Sequence, residues 1–270
     1  MKLPKAIFLN DKIYTDIEIK KPKVKVLADV EETASTGDIY SAMYQFILGC
    51  TESISSDDDI TDDSAKLKEL IKAMPYRSAE LVAIKTMLLV DPQDYIEGIY
   101  TCPRCGKKII AELKDDSDTR DRISDLAITV EDQPTNTIQY QFESPIIIKS
   151  VKDESFRMEI DSVELRIPTL GDCILTAKQT SITGGTRFQI VLYKNCLITA
   201  NAEHVDSKFR AEWGVYIFEN LNQSDMRSIY EPIKKYGLQS TVEKRCYECG
   251  KVWEATVNTS NFFVSGLASN

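Results

Sequence analysis

Four cysteines fall in two nearly identical clusters, CPRCGK from Cys102 and CYECGK from Cys246. Each cluster can set its two thiols on one tight turn. The Gly after the second Cys (Gly106, Gly250) accepts a left-handed backbone, and nearby N–H groups can then point at the sulfurs. The Lys that follows (Lys107, Lys251) adds positive charge beside an anionic thiolate site. A structural zinc ion takes four ligands, and each cluster offers two. The economical arrangement is one shared centre of Cys102, Cys105, Cys246 and Cys249, a zinc ribbon split across the chain. Closing so long a loop with a metal should stabilise the fold. Two other uses stay open at this point, a redox-active pair and simple reduced thiols. A redox pair ordinarily opens a helix in a βαβ unit, whereas strand-like IIAEL and VWEATV follow these clusters.

Other residues offer little chemistry. His204, the single histidine, stands in NAEHVDSK without a Cys at finger spacing and reads as a surface or loop residue. Cys50, Cys173 and Cys196 have apolar surroundings and read as core thiols, since a catalytic Cys needs His and Asn or Asp partners. Gly184-Gly185 reads as a turn, because no Lys-Ser or Lys-Thr follows to complete a phosphate loop. The acidic stretch Ser53 to Ser64 lacks the glycine and spacing of a calcium loop and reads as a solvated linker. No dinucleotide fingerprint or nucleophile elbow is present. The chain is therefore expected not to be an enzyme.

Composition narrows the class further. A chain of 270 residues, 43% of them hydrophobic, can build one large domain or two ordinary ones. Asp and Glu outnumber Lys and Arg 42 to 33, and the net charge of −9 disfavours a protein devoted to duplex nucleic acid. No stretch reaches the roughly 18 apolar residues of a membrane span, and the N-terminus lacks a signal-peptide run. A soluble protein made in the cytosol is expected; its seven cysteines are no disulfide scaffold, and the Cys-x-x-Cys pairs read as metal or redox sites.

The elements that would carry the clusters occur twice. Cys102, Cys105, Gly106, Lys107 and Ala111 recur 144 residues later, Cys50 meets Cys196 and Ser78 meets Ser224 at 146, and TGDIYSAMYQ resembles LGDCILTAKQ at 134. The common order predicts an internal duplication with a few loop insertions. The fold class expected is α+β: two pseudo-repeated halves of mixed α and β structure, joined by the zinc-ribbon-like four-cysteine site. The domains expected are residues 1–135, with the first knuckle, and 136–270, with the second knuckle and a C-terminal Phe-Phe strand. KVKVLADV (from Lys23) and SVELRIPTL (from Ser162) alternate like half-buried strands, and YQFESPIIIKSV (from Tyr140) is strand-like. Gly37-Asp38 and Gly171-Asp172 read as helix starts, KLKELIKAMPY as a helix broken by Pro75, Ser78 as the cap of the next helix, and Gly237 as a C-cap.

These pieces together resemble the baseplate hub assembly chaperone family of T-even-type and related contractile-tailed phages. VELRIPTLGD (residues 163–172), LYKNCLI, the CPxCG knuckle and CYECGKVWEATVNTSNFF (residues 246–263) carry the resemblance, the ending most of all. The first half departs from it, with VLADVEETASTGD where the strand-Pro-Thr-x-Gly-Asp pattern belongs. The resemblance implies a non-enzymatic tail protein that assists assembly of the baseplate hub, or forms part of it, by protein–protein binding. Its partners would be baseplate or hub proteins, with no small-molecule substrate, membrane or nucleic acid expected. It would work in the host cytoplasm during assembly and in the virion tail baseplate. Phe262 and Phe263 would dock a hub protein, or else end a strand tucked into the core beside Trp253. The alternative is a zinc-ribbon nucleic-acid-binding or transcription-related module, for which Lys107, Lys108, Lys244, Arg245 and Lys251 form the only local basic cluster.

Overall fold

The computed structural model describes residues 1–57, 59–90, 95–114, 127–128, 136–149, 157–234, 237–238 and 241–256. Contacts divide the chain into one unit of Met1–Asp132 with Lys234–Asn270 and another of Gln133–Ile233.

In the first unit, β1 (Lys2–Leu9) and β2 (Lys12–Ile19) are joined by Asn10-Asp11, whose φ angles of 51° and 60° suit a two-residue hairpin turn. α1 (Val24–Ser35) and α2 (Ile39–Cys50) follow, and α2 runs directly into β3 (Thr51–Ser55). With β4 (Ile60–Thr61) the sheet has the antiparallel order β1-β2-β3-β4. Asp38 and Asp63 cap α2 and α3 (Ser64–Ala73), accepting from the N–H groups of Ser41 and Lys66. Pro75, lacking an N–H, separates α3 from α4 (Tyr76–Val90). Leu3, Ile7, Tyr14, Ile17, Phe46, Ile47, Ile54 and Leu70 are buried in its core. β5 (Tyr95–Thr101) and β6 (Lys108–Lys114) form a separate ribbon, followed by the short β7 (Ala127–Ile128).

The second unit contains β8 (Thr137–Lys149), β9 (Arg157–Arg166), α5 (Leu170–Thr180), α6 (Gly185–Cys196), β10 (Leu197–Ala200), β11 (Glu203–His204), α7 (Ser207–Glu219) and α8 (Gln223–Lys234). Its sheet has the antiparallel order β8-β9-β10-β11. The chain then returns to the first unit. There β12 (Gly237–Leu238) pairs with β7, and β13 (Thr241–Arg245) with β14 (Val252–Thr256) makes a second ribbon. The contacts break the chain at 132/133. The segment from Lys234 on groups with the first ribbon.

The two sheets share their irregularities. Ile19 pairs Thr51 and Glu18 pairs Ser53, one residue being skipped between; Leu165 pairs Leu197 and Glu164 pairs Thr199 with the same skip, 146 residues on. Lys2 to Ile7 of β1 opposes only Asp16 to Tyr14, and Gln141 to Ile146 of β8 opposes only Ser162 to Ile160. Each bulge holds a proline, Pro4 or Pro145, which has no N–H for a ladder. Each is also held from the start of a helix. Ser78 Oγ accepts from Lys5 N–H and donates to Lys5 C=O, both at 3.1 Å. Asp225 accepts from Glu143 N–H at 3.1 Å and from Tyr140 O–H at 2.9 Å.

Several sequence expectations are corrected. KVKVLADV opens α1 instead of forming a strand. Val24 is 82% exposed, whereas Val26, Leu27 and Val30 turn inward at helical spacing. Only the first residues alternate, and Glu31, Glu32 and Ala34 favour the helix. Gly49 then lets α1 cross α2 closely, since a Cβ there would stand 2.4 Å from Val26 Cγ1. The two Gly-Asp pairs differ in rank: Asp38 caps the second helix of its unit, while Asp172 is the third residue of the first helix of its own, in a capping box with Thr169. The match at 134 thus aligned unlike elements. Ser78 lies inside α4, where its hydroxyl serves β1, and Gly237 lies in β12. The acidic stretch from Ser53 is partly strand, and its Asp59 accepts from Lys12 at 3.0 Å and Lys66 at 2.8 Å.

Candidate metal centre

Each Cys-x-x-Cys cluster closes a β-ribbon. Thr101 pairs Lys108 at the end of β5–β6, and Arg245 pairs Val252 at the end of β13–β14. Between them the two loops fold alike. Cys102 N–H donates to Lys107 C=O at 2.9 Å and Gly106 N–H to Cys102 C=O at 2.9 Å; the same bonds run from Cys246 to Lys251 at 2.8 Å and from Gly250 to Cys246 at 2.9 Å. Gly106 and Gly250 have φ of 69° and 68°, the left-handed conformation that the sequence assigned to them.

The two loops meet. The Sγ atoms of Cys102, Cys105, Cys246 and Cys249 all lie within 4.8 Å of one another. Cys102 is 3.7 Å from Cys249, and Cys105 is 3.6 Å from Cys246. Thiolates held tetrahedrally at about 2.3 Å from a zinc ion have sulfur–sulfur edges of about 3.8 Å, so the donor set and its spacing fit such an ion. Cys102 and Cys246 are buried, while Cys105 is exposed and Cys249 half-buried. Burial opposes ionisation of Cys102, but the N–H groups of Cys105 and Arg104 and the neighbouring thiols outweigh it and bring the thiol down to about 7. At Cys105 the Lys107 N–H favours the thiolate, yet burial and the other three thiols prevail and push it up to about 12.

The surroundings are basic and aromatic. Lys107 pairs with Glu248 at 3.2 Å and lies 5.6 Å from the ring centroid of Tyr247, which is 69% exposed. Lys244 is buried with its Nζ 4.8 Å from the centroid of Tyr100. The sequence reading missed the Tyr100–Lys244 contact, although both residues stand two places before the first Cys of their knuckles.

Other candidates lie apart from this centre. His204 is exposed in β11, opposite Thr199. Cys50, Cys173 and Cys196 are buried. Burial pushes the Cys50 thiol up to about 12 and that of Cys196 well above its ordinary value, which suits core thiols and not nucleophiles. Trp253 is half-buried. Phe262 and Phe263 lie outside the described residues.

Residues 5–118 match the family described as T4 bacteriophage base plate protein. The match spans the first set of elements and its knuckle. The match supports a baseplate structural role. No curated protein and no solved structure matches the chain. Among the described residues no helix is long and apolar enough to cross a membrane.

Proposed function

We propose that this chain is a non-enzymatic protein of the baseplate hub that assists hub assembly, or stays in the hub, by binding other tail proteins. The observation that carries this reading is the match of residues 5–118 to the baseplate family. The resemblance of the second half to hub assembly chaperones extends it. The protein acts in the host cytoplasm during assembly, and in the tail baseplate if it stays in the hub.

Residues 1–135 and 136–270 are two copies of one fold. The support is the shared element order, the ladders that coincide on adding 146, and the proline bulge held from a helix start in both. Cys102, Cys105, Cys246 and Cys249 bind one zinc ion, which ties the knuckles together; supplying rigidity, it opens no coordination position for chemistry. Phe262 and Phe263 form the hook for a hub protein.

The test is capture of tail proteins by the tagged chain from phage-infected cells. Baseplate or hub proteins should be recovered. The double change Phe262→Ala, Phe263→Ala should weaken that capture by roughly 2–4 kcal/mol while leaving the zinc content intact. One observation favours a second reading, a nucleic-acid-binding zinc ribbon: Arg104, Lys108, Arg245 and Lys251 are exposed around the knuckles. DNA binding with a steep loss on adding salt, and no tail protein captured, would replace the first reading by the second.

A further inference from the structure

Val24 and Ile60 are the two most exposed large hydrophobic side chains among the described residues, at 82% and 75%. A single exposed apolar residue is ordinary on a protein surface, but these two carry collars of opposite charge. Val24 stands in KKPKVK, where Lys20, Lys21, Lys23 and Lys25 are all exposed, and no acid lies between Lys20 and Ala28. Ile60 stands between Asp57 and the pair Asp62-Asp63, all three exposed. The half-buried Asp59 is already neutralised, since Lys12 and Lys66 both pair with it. The ion pairs formed among the described residues engage none of the four lysines and none of the three exposed aspartates.

The basic collar works against its own helix. Lys23 is the N-cap of α1 and makes no side-chain capping bond, and the first turn holds no acidic residue. Cations there oppose the positive end of the helix dipole, so the stability of α1 gives no reason for them. The two collars also lie at opposite ends of one strand. Lys20 N–H donates to Cys50 C=O at 2.7 Å, beside the Thr51 end of β3, whereas Ile60 pairs with Ser55 at the other end. Both apolar side chains stay exposed, so neither covers the other within the chain. β4 is the edge of its sheet, which leaves Ile60 open to a molecule approaching from that side.

We propose that the two patches are the two sides of one contact between copies of this chain: the lysine-ringed Val24 of one copy seats on the aspartate-ringed Ile60 of the next. A second copy is the occupant because the chain itself carries both complementary halves. Nucleic acid would match the lysines alone and leave Ile60 and its aspartates without a partner. The contact joins unlike patches and is therefore heterologous. Each copy keeps one free patch, and association runs past a dimer into a ring or a filament.

The test is sedimentation velocity on the full chain. Wild type should form species larger than a dimer as its concentration rises. Association should weaken about tenfold from about 0.1 M to about 1 M salt, where the Debye length falls from about 10 Å to about 3 Å. Two variants, changed only at exposed positions, each disable one side. One carries Lys21→Gln, Val24→Gln and Lys25→Gln; the other carries Asp57→Asn, Ile60→Gln and Asp62→Asn. Each alone should stay monomeric. Mixed in equal amounts they should form a heterodimer and stop there, because one supplies only the aspartate side and the other only the lysine side. A wild type that stays monomeric overturns the proposal, even where a tail protein or DNA binds one of the patches. So does a wild type that stops at a dimer, a variant that still associates alone, or a mixture of the two variants that forms no heterodimer.

Discussion

Ser78 Oγ lies 3.1 Å from both the backbone nitrogen and the backbone oxygen of Lys5, 73 residues away. One hydroxyl thus accepts from and donates to the same residue. It stands in for a neighbouring strand at the open edge of β1, where the bulge around Pro4 interrupts the ladder. Ser78→Ala strips both buried backbone groups of this partner and should cost about 2–3 kcal/mol in denaturant unfolding. A loss below about 0.5 kcal/mol would mean that the hydroxyl does not hold the edge.

In the second unit the corresponding task falls to Asp225, which is buried and accepts from Glu143 N–H and Tyr140 O–H. Asp225→Ala should destabilise that unit by about 2–4 kcal/mol, with faster amide exchange at Glu143 as the local readout.

Asp172 makes a pH-dependent contribution. It accepts from Arg166 at 2.6 and 2.9 Å and from Thr169 N–H and O–H, each at 2.8 Å. Burial opposes its charge, but Arg166 and Thr169 outweigh the burial and hold the carboxyl below the usual range. A depressed folded value stabilises above the unfolded carboxylate value of about 4 and loses that contribution as pH falls through the folded one. Asp172→Asn should cost about 3 kcal/mol at neutral pH, and the gap to wild type should narrow in unfolding curves taken below about pH 4.

Gly49→Ala would gain up to about 1 kcal/mol by helix propensity alone. The new Cβ, however, meets Val26 Cγ1 at 2.4 Å. A net loss of about 1–2 kcal/mol is expected, recovered in large part by adding Val26→Ala. Thermal melts of the single and double variants check both signs.

The cysteine centre was legible in the sequence because its information is local: two thiols, a glycine that needs positive φ and a lysine, repeated. The partnering of the two knuckles followed from ligand count. The short motifs misled where the rank of an element mattered. Gly-Asp begins a helix in two different ways, once with Asp38 as the cap and once with Asp172 inside a capping box, so like letters marked unlike elements. α1 was misread because Val24 and Val26 alternate with lysines before the helical face of Val26, Leu27 and Val30 is established. The edge role of Ser78 was not readable at all, since it depends on a residue in another element.

The central claim is one zinc ion held by two knuckles. Elemental analysis of zinc per chain, on reduced wild-type protein and on Cys102→Ser and Cys246→Ser, tests it most directly. One zinc per wild-type chain, lost from both variants, is the result expected, because four thiolates act as one site. Two zinc ions per chain, none, or one that survives either substitution would contradict it.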